Sequence, residues 1–137
     1  MATNRREQKR IPVCTFLTEY VDERARRGMI TDISEHGLRV QRPLCPTHRR
    51  SRMVQLEFEL PGTNDVIWAR GEACFDELSE APFGPAAGGP AATIHSSGVR
   101  LVTLADRHRR LMREYITERR RRYVAEIIAR IPRQRVH

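Results

Sequence analysis

The sequence predicts an all-β domain followed by one long helix. Apolar and polar residues alternate in short runs up to residue 103, turn signals separate these runs, and a helical period begins at Leu104. Strands that follow one another at short intervals are typical of an antiparallel sheet that closes or packs on itself. No helical stretch separates the strands, which argues against a doubly wound α/β fold. The length of 137 residues fits one domain.

Six strands are predicted in chain order. The clearest covers residues 54–60, where every second residue is apolar and the residues between are Gln or Glu, so that one face is buried and the other is wet. In the fifth strand the same alternation places Phe75 on the core face with Ile67, and Trp68 on the outer face. Proline, glycine and alanine predict a loop over residues 81–92. The strands are expected at residues 13–20, 28–34, 37–42, 54–60, 66–75 and 98–103.

The terminal helix is predicted to begin with a capping box of Thr103 and Asp106 and to end before Pro132. It carries two apolar stripes, of which the first is expected to pack on the β domain and the second to lie beyond its edge. We therefore expect a homodimer through residues 117–131, with a groove on a different protein as the alternative. The arginines at 119–122 oppose close parallel pairing, so an antiparallel or splayed pair of helices is expected. The first stripe is Leu111, Met112, Tyr115 and Ile116; the second is Tyr123, Val124, Ile127, Ile128 and Ile131.

Charge is distributed unevenly along the chain. The net charge of +8 divides into +3 over residues 1–10, −2 over residues 11–104 and +7 over residues 105–137. The basic helix makes a nucleic-acid-binding module one alternative function. Against it, the helix keeps an apolar stripe suited to a partner helix, and the β domain lacks the aromatic stacking platform of many single-strand binders.

The compartment and the state of the cysteines follow from simple patterns. No run approaches the ~18 apolar residues that span a bilayer, and the N-terminus has no apolar signal-peptide stretch, so a cytoplasmic protein is expected. Cys14, Cys45 and Cys74 form no CxxC pair and are expected to be buried as small hydrophobic residues.

Two short motifs stand in order near the N-terminus and at a turn between two predicted strands. The first is RxxxR, formed by Arg6 and Arg10, and the second is DxSxxG, formed by Asp32, Ser34 and Gly37. With this order of motifs and strands the chain resembles the PilZ domain family, bacterial receptors for the second messenger cyclic di-GMP. The resemblance implies a six-stranded antiparallel β-barrel with a C-terminal helix, which agrees with the strand pattern.

The resemblance also implies the ligand-binding residues. Arginine forks can bind the O6 and N7 edge of guanine, and their planes can stack on the purine. The carboxylate of Asp32 can accept from guanine N–H groups, Ser34 can bond nearby base or phosphate groups, and Gly37 permits an approach that a Cβ would block. In the family, an arginine directly before RxxxR goes with two intercalated cyclic di-GMP molecules. The expected site is Arg5, Arg6, Arg10, Asp32, Ser34 and Gly37.

The predicted protein is a cytoplasmic cyclic di-GMP-binding effector or adaptor that changes conformation with ligand and signals to a protein partner. It divides into a flexible arginine-rich loop at 1–12, a barrel with the first part of the helix at 13–116, and a helical extension at 117–137. A degenerate PilZ protein that acts only through protein contacts is a further alternative. An enzyme is not expected, because nothing resembles a nucleophile elbow. No metal or cofactor is expected either, since the five histidines lack metal-ligand spacing.

Overall fold

A computed structural model describes residues 10–44, 52–80 and 93–132. These residues form six strands and one helix, in an order that follows the sequence prediction. The predicted loop at 81–92 and most of the predicted flexible segment at 1–12 lie outside the described residues. The elements are β1 (Ile11–Val21), β2 (Arg24–Ile33), β3 (Gly37–Pro43), β4 (Met53–Glu59), β5 (Val66–Glu80), β6 (Thr93–Leu104) and α1 (Asp106–Arg130).

The strands close into one antiparallel barrel in the order β1-β2-β3-β6-β5-β4. The predicted six-stranded barrel with a terminal helix is therefore confirmed. β5 and β6 are longer than expected and pair along most of their length, from Ala69 opposite Leu104 to Glu80 opposite Thr93. The ends of β2 and β3 that carry the DxSxxG turn lie at the same end of the barrel as the start of α1, because β6 pairs antiparallel with β3 and leads into the helix.

The core fills the barrel from alternate positions of each strand. Ile30, Leu56 and Ile67 are fully buried, as expected for inward-facing residues of a small barrel. The first apolar stripe of α1 joins this core: Met112 and Ile116 are buried, and Leu111 and Tyr115 pack against it. Burying such a side chain stabilises the fold by about 1.5–3 kcal/mol. The prediction that the first stripe packs on the β domain is confirmed.

The second stripe of α1 stays exposed and is not part of the core. The exposed fractions of its side chains run from 43% at Ile127 to 62% at Ile128. The predicted capping box is wrong, because Thr103 still belongs to β6 and Ala105 occupies the N-cap without a side-chain hydrogen bond. The barrel holds the start of the helix instead: the backbone N–H of Trp68 donates to Nδ1 of His108 over 3.1 Å.

A β-bulge in β5 displaces a side chain from its predicted face. The register shifts between Ala73 and Phe75, where two steps along β5 match one step along β6. A bulge adds one residue to a strand, so the residues beyond it exchange faces relative to simple alternation. Phe75 is consequently 41% exposed instead of buried in the core. Cys14 and Cys74 are exposed, so their predicted burial is wrong, and Cys45 lies outside the described residues.

A buried polar network occupies the barrel interior at the end opposite α1. Arg42 donates from Nε and Nη2 to the two carboxylate oxygens of Glu19, at 2.6 and 3.0 Å. Its Nη1 donates to Nδ1 of His95 at 3.1 Å and to the hydroxyl of Ser97 at 2.9 Å. Ser97 donates in turn to Oδ1 of Asp76 at 2.7 Å. The network joins β1, β3, β6 and β5, and its pairing keeps the buried charges satisfied.

Asp76 lies where this network meets solvent. A cavity of about 190 Å³ adjoins the network and is lined, among others, by Glu19, Arg26, Arg52 and Cys74. Partial burial alone would raise the pKa of Asp76, but the hydrogen bonds from Ser97 and His95 and the charge of Arg42 outweigh it and lower the pKa below its usual 3.8. The ionised form of Asp76 is therefore more stable in the folded state than in the unfolded chain.

This lowered pKa predicts how stability changes with pH. A carboxylate with a depressed pKa stabilises the fold above its unfolded pKa, and this contribution is lost as the pH falls through the folded value. The free energy of unfolding of the wild type should therefore exceed that of Asp76→Asn near neutral pH, and the difference should shrink below about pH 4. Urea unfolding from about pH 6 to about pH 3 measures it. Glu77→Gln, at an exposed neighbour, is the matched control; a difference that is constant with pH would contradict the prediction.

Candidate functional site

The DxSxxG turn is held by its own hydrogen bonds. The backbone N–H of Ser34 donates to the carbonyl of Gly37 at 2.8 Å, and the N–H of Gly37 donates to the Ser34 hydroxyl at 3.1 Å. Ser34 is buried, at 3% exposure. Its hydroxyl therefore fixes the shape of the turn in this structure, and a ligand contact through Ser34 remains a prediction.

Gly37 lies directly against β6. A Cβ built at this position would lie 2.8 Å from the carbonyl oxygen of Val99, closer than real Cβ atoms approach. The backbone dihedral φ is not positive here, so the close approach to β6 is the reason for the glycine. A second bond reinforces the contact, because the N–H of Leu101 donates to the carbonyl of His36 at 2.8 Å. The His36 side chain itself is exposed, as expected for a turn histidine.

Asp32 presents its carboxylate on the outer face of the barrel between two arginines. Nη1 of Arg10 lies 3.4 Å from Oδ1, and Nε of Arg39 lies 3.7 Å from Oδ2. The Asp32 side chain is 25% exposed, and those of Arg10 and Arg39 are 47% and 36% exposed. The two predicted residues Arg10 and Asp32 are thus brought together although 22 positions separate them. Arg5 and Arg6 lie outside the described residues.

Arg39 was not predicted from the sequence, and it connects Asp32 to an aromatic ring. Its guanidinium carbon lies 5.4 Å from the centre of the Phe75 ring, within the range of a cation–π contact. The ring rests on Gly98, where any Cβ would overlap it. Gly98 pairs with both Arg39 and Phe75 in the sheet register. We call Arg39 and Phe75, resting on Gly98, the platform.

Further charges surround this surface. Arg100, opposite Gly37 in the sheet, donates to Glu72 at 2.9 Å. Arg113 of α1 reaches Glu35 in the DxSxxG turn at 2.8 Å. All four side chains are more than one third exposed, so these pairs are weak and open to competition by a ligand.

The arrangement suits an anionic ligand that carries flat polar rings. The carboxylate of Asp32 accepts hydrogen bonds, the guanidinium groups of Arg10 and Arg39 donate to phosphate or base edges, and the platform offers a surface for stacking. Within the described parts of the chain, no group of three or more His, Cys, Asp or Glu residues could hold a metal ion. The one helix in the described residues is not long and apolar enough to cross a membrane.

The family model of the PilZ domain matches residues 4–118 of this chain. The match covers most of the sequence, including both motifs, and the chain belongs to the PilZ domain family. It indicates no catalytic family. No curated protein matches the chain with significance.

Solved structures share the fold at low sequence identity. The PilZ domain of YcgR from Escherichia coli, solved with c-di-GMP, matches with a TM-score of 0.67 and 17% identity, over 90% of this chain and 98% of that one. The Bacillus subtilis inhibitor of motility MotI/DgrA matches with a TM-score of 0.62 and 15% identity, over 86% of this chain and 52% of that one. The Borreliella burgdorferi PlzA protein in complex with c-di-GMP matches with a TM-score of 0.58 and 8% identity, over 96% and 55%. The chain therefore spans about half the length of MotI/DgrA and PlzA.

Proposed function

We propose that this chain is a receptor for cyclic di-GMP that acts in the cytoplasm as an effector and has no enzymatic activity of its own. The observation that carries the proposal is the partly exposed carboxylate of Asp32, held between Arg10 and Arg39, the latter beside the Phe75 ring. Membership of the PilZ family and the c-di-GMP in two of the similar structures support it.

In this proposal each part of the site recognises a different part of the ligand. Arg6 and Arg10 donate to the guanine edge and to phosphate oxygens, where a planar fork makes two parallel bonds. The carboxylate of Asp32 accepts from the guanine N1–H and N2–H groups. Ser34 and Gly37 hold the turn so that ligand and backbone come close. The platform stacks against a guanine, as aromatic and guanidinium planes do with unpaired bases.

Ligand binding competes with contacts inside the free protein, and this competition supplies the proposed conformational change. Exposed ion pairs such as those of Asp32 with Arg10 and Arg39 contribute about 1 kcal/mol or less, so a ligand replaces them at small cost. The segment at 1–12 would then close over the ligand with Arg5, Arg6 and Arg10. A surface altered in this way would be recognised by a protein partner.

The first prediction is saturable binding of cyclic di-GMP that depends on the assigned residues. Arg6→Ala and Arg10→Ala should each weaken binding about ten- to a hundredfold, because each removes charge-assisted hydrogen bonds. Asp32→Ala should weaken it in an intact fold. Calorimetric titration measures the affinities, and Arg130→Ala, on the far part of α1, is the control.

Two results would contradict the receptor proposal. Absence of binding by the wild type at tens of micromolar would favour a degenerate PilZ protein that acts only through protein contacts. Normal binding by folded Arg10→Ala and Asp32→Ala variants would show that the ligand sits elsewhere. Tight, salt-dependent binding of nucleic acid instead of cyclic di-GMP would favour the nucleic-acid-binding alternative.

The second prediction concerns stoichiometry. Arg5 precedes RxxxR, and a third arginine helps to offset the four phosphate charges of two stacked cyclic di-GMP molecules. We expect two ligands per chain, and Arg5→Leu should lower the ratio toward one while some affinity is kept. The inflection of the titration gives the ratio, and a wild-type value of one would refute the stacked pair.

We also propose that the chain forms a homodimer through residues 117–131. The second stripe of α1 is about half exposed along its length, and full burial of one such side chain stabilises by about 1.5–3 kcal/mol before the costs of association. An antiparallel pair centred near Ile127 separates the two arginine runs at 119–122, whereas a parallel pair brings them together.

The third prediction tests this dimer. Sedimentation of the full chain at tens of micromolar should give a dimer, and a chain that stops after Glu118 should give a monomer that keeps its fold, because Met112 and Ile116 remain. Ile127→Glu together with Ile128→Glu should have the same effect in the full chain, whereas Arg130→Gln, which leaves the stripe unchanged, should not. A monomeric wild type would favour a groove on a different protein.

A further inference from the structure

We infer that Asp76 is a positioning residue for the candidate ligand site: through its hydrogen bonds to the buried polar network it holds Phe75 on the outer face, where the platform forms. The inference rests on the proposed function, because it assumes that the platform contacts the ligand. The Asp76 carboxylate is bound to His95 and Ser97 on the other side of the sheet, at the solvent-facing edge of the polar network, where its side chain is 46% exposed. It therefore acts on the ligand only through Phe75.

The bulge at Cys74 makes such a hold necessary. Before the bulge, Ile67 and Ala69 face the core, and regular alternation would bring Phe75 inward as well. The extra residue reverses the alternation, so that Phe75 points outward and Asp76 points inward. The backbone of β5 can place either Phe75 or Asp76 on the inner side of the sheet. The arrangement whose inward side chain makes the stronger contacts is the one that forms. A buried Phe75 would turn the Asp76 carboxylate away from His95 and Ser97 and break both hydrogen bonds.

The inward contacts of Asp76 are short and well directed. Oδ1 lies 2.8 Å from Nε2 of His95 and 2.7 Å from the hydroxyl of Ser97. A guanidinium only donates, so the contact of Arg42 Nη1 with His95 makes Nδ1 the acceptor and places the imidazole proton on Nε2, aimed at Asp76. The same Arg42 atom donates to Ser97, which directs that hydroxyl proton to Asp76 as well.

The network behind Asp76 cannot easily shift. Arg42 is bound by both oxygens of Glu19, and the two side chains are 3% and 1% exposed. A buried bidentate pair has few alternative geometries. Side-chain hydrogen bonds thus connect Asp76 through β6 and β3 to β1. These connections fix the register of β5 beyond its bulge.

The contacts of Asp76 affect the outer face at the next residue pair along β5 and β6. Asp76 pairs with Ser97, and the neighbouring pair is Phe75 with Gly98. Gly98 gives the ring room to lie flat, and Arg39, which pairs with Gly98 from the other side, contacts both the ring and Asp32. Loss of the inward hold would free Phe75 to move and would remove the surface against which Arg39 is placed.

A double-mutant cycle in the full-length protein tests the inference, with the dissociation constant of cyclic di-GMP as the readout. Asp76→Ala should weaken binding about tenfold, as expected for coupled neighbours, whereas Asp76→Asn should stay within about threefold, because its amide oxygen accepts the same two hydrogen bonds. In a Phe75→Ala background, Asp76→Ala should cause no further loss. Ser97→Ala, which removes one of the two bonds, should give an intermediate loss that Phe75→Ala also abolishes.

Stability is separated from positioning by a matched control. Met112→Ala leaves a void in the core away from the platform, so it lowers stability without touching Phe75; it should leave the affinity unchanged at temperatures where it is folded. If Asp76→Ala does not fold, the cycle is completed with Ser97→Ala.

Provided that the wild type binds, two results would overturn the inference. Asp76→Ala could weaken binding equally with and without Phe75, or it could leave binding unchanged. A wild type that does not bind would overturn the proposed function, and the inference with it.

Discussion

The close packing of β6 against its neighbours is the constraint on which the rest of the structure depends. On one side, Gly37 touches the carbonyl of Val99, and on the other, Gly98 lies under the Phe75 ring. Neither position has room for a Cβ. The glycine of the DxSxxG motif is therefore required by the contact of two strands, and Asp32 of β2, Arg39 of β3 and Phe75 of β5 come together on the outer face of the barrel around β6. A side chain at either glycine would separate the strands or displace the ring, and the candidate site depends on both.

The two ends of the barrel are closed by different kinds of interaction. At the end near the DxSxxG turn, Met112 and Ile116 of α1 complete an apolar core, and the stabilisation comes from burial. At the other end, Glu19 and Arg42 form a buried ion pair, whose desolvation offsets much of its attraction. Such a pair contributes less to stability than to the choice of one arrangement, because an alternative register would leave a buried charge without its partner. The polar end therefore sets geometry, and the apolar end supplies most of the free energy.

Local patterns in the sequence predicted the strands, an antiparallel sheet and the two stripes of α1, and the resemblance to the PilZ family implied that Arg10 and Asp32 share one site. They failed at Phe75, because a bulge adds a residue without any local signal and reverses the alternation that follows. They also failed to find Arg39, whose role comes from its pairing with Gly98 across the sheet. The polar network did leave a signal: Glu19 falls on the inward positions of its strand with Leu17 and Val21, and a charge on a buried face needs a buried partner. Which partner it finds depends on barrel closure, which alternation alone does not specify.

The helix joins the candidate ligand site to the exposed stripe. Arg113 of α1 pairs with Glu35 in the turn between β2 and β3, and the same turn is bonded through His36 to Leu101 near the end of β6, three residues before that strand ends. The turn is thus in contact with α1 directly and through the strand that leads into it. The Arg113–Glu35 pair is exposed and weak, whereas the packing of Met112 and Ile116 is buried and strong. In the proposed receptor, an anionic ligand that competes with Glu35 for Arg113 could therefore break this pair without detaching the helix. The response would be a freed Arg113 charge on the part of α1 that packs on the barrel, while the buried contacts of Met112 and Ile116 keep the helix in place.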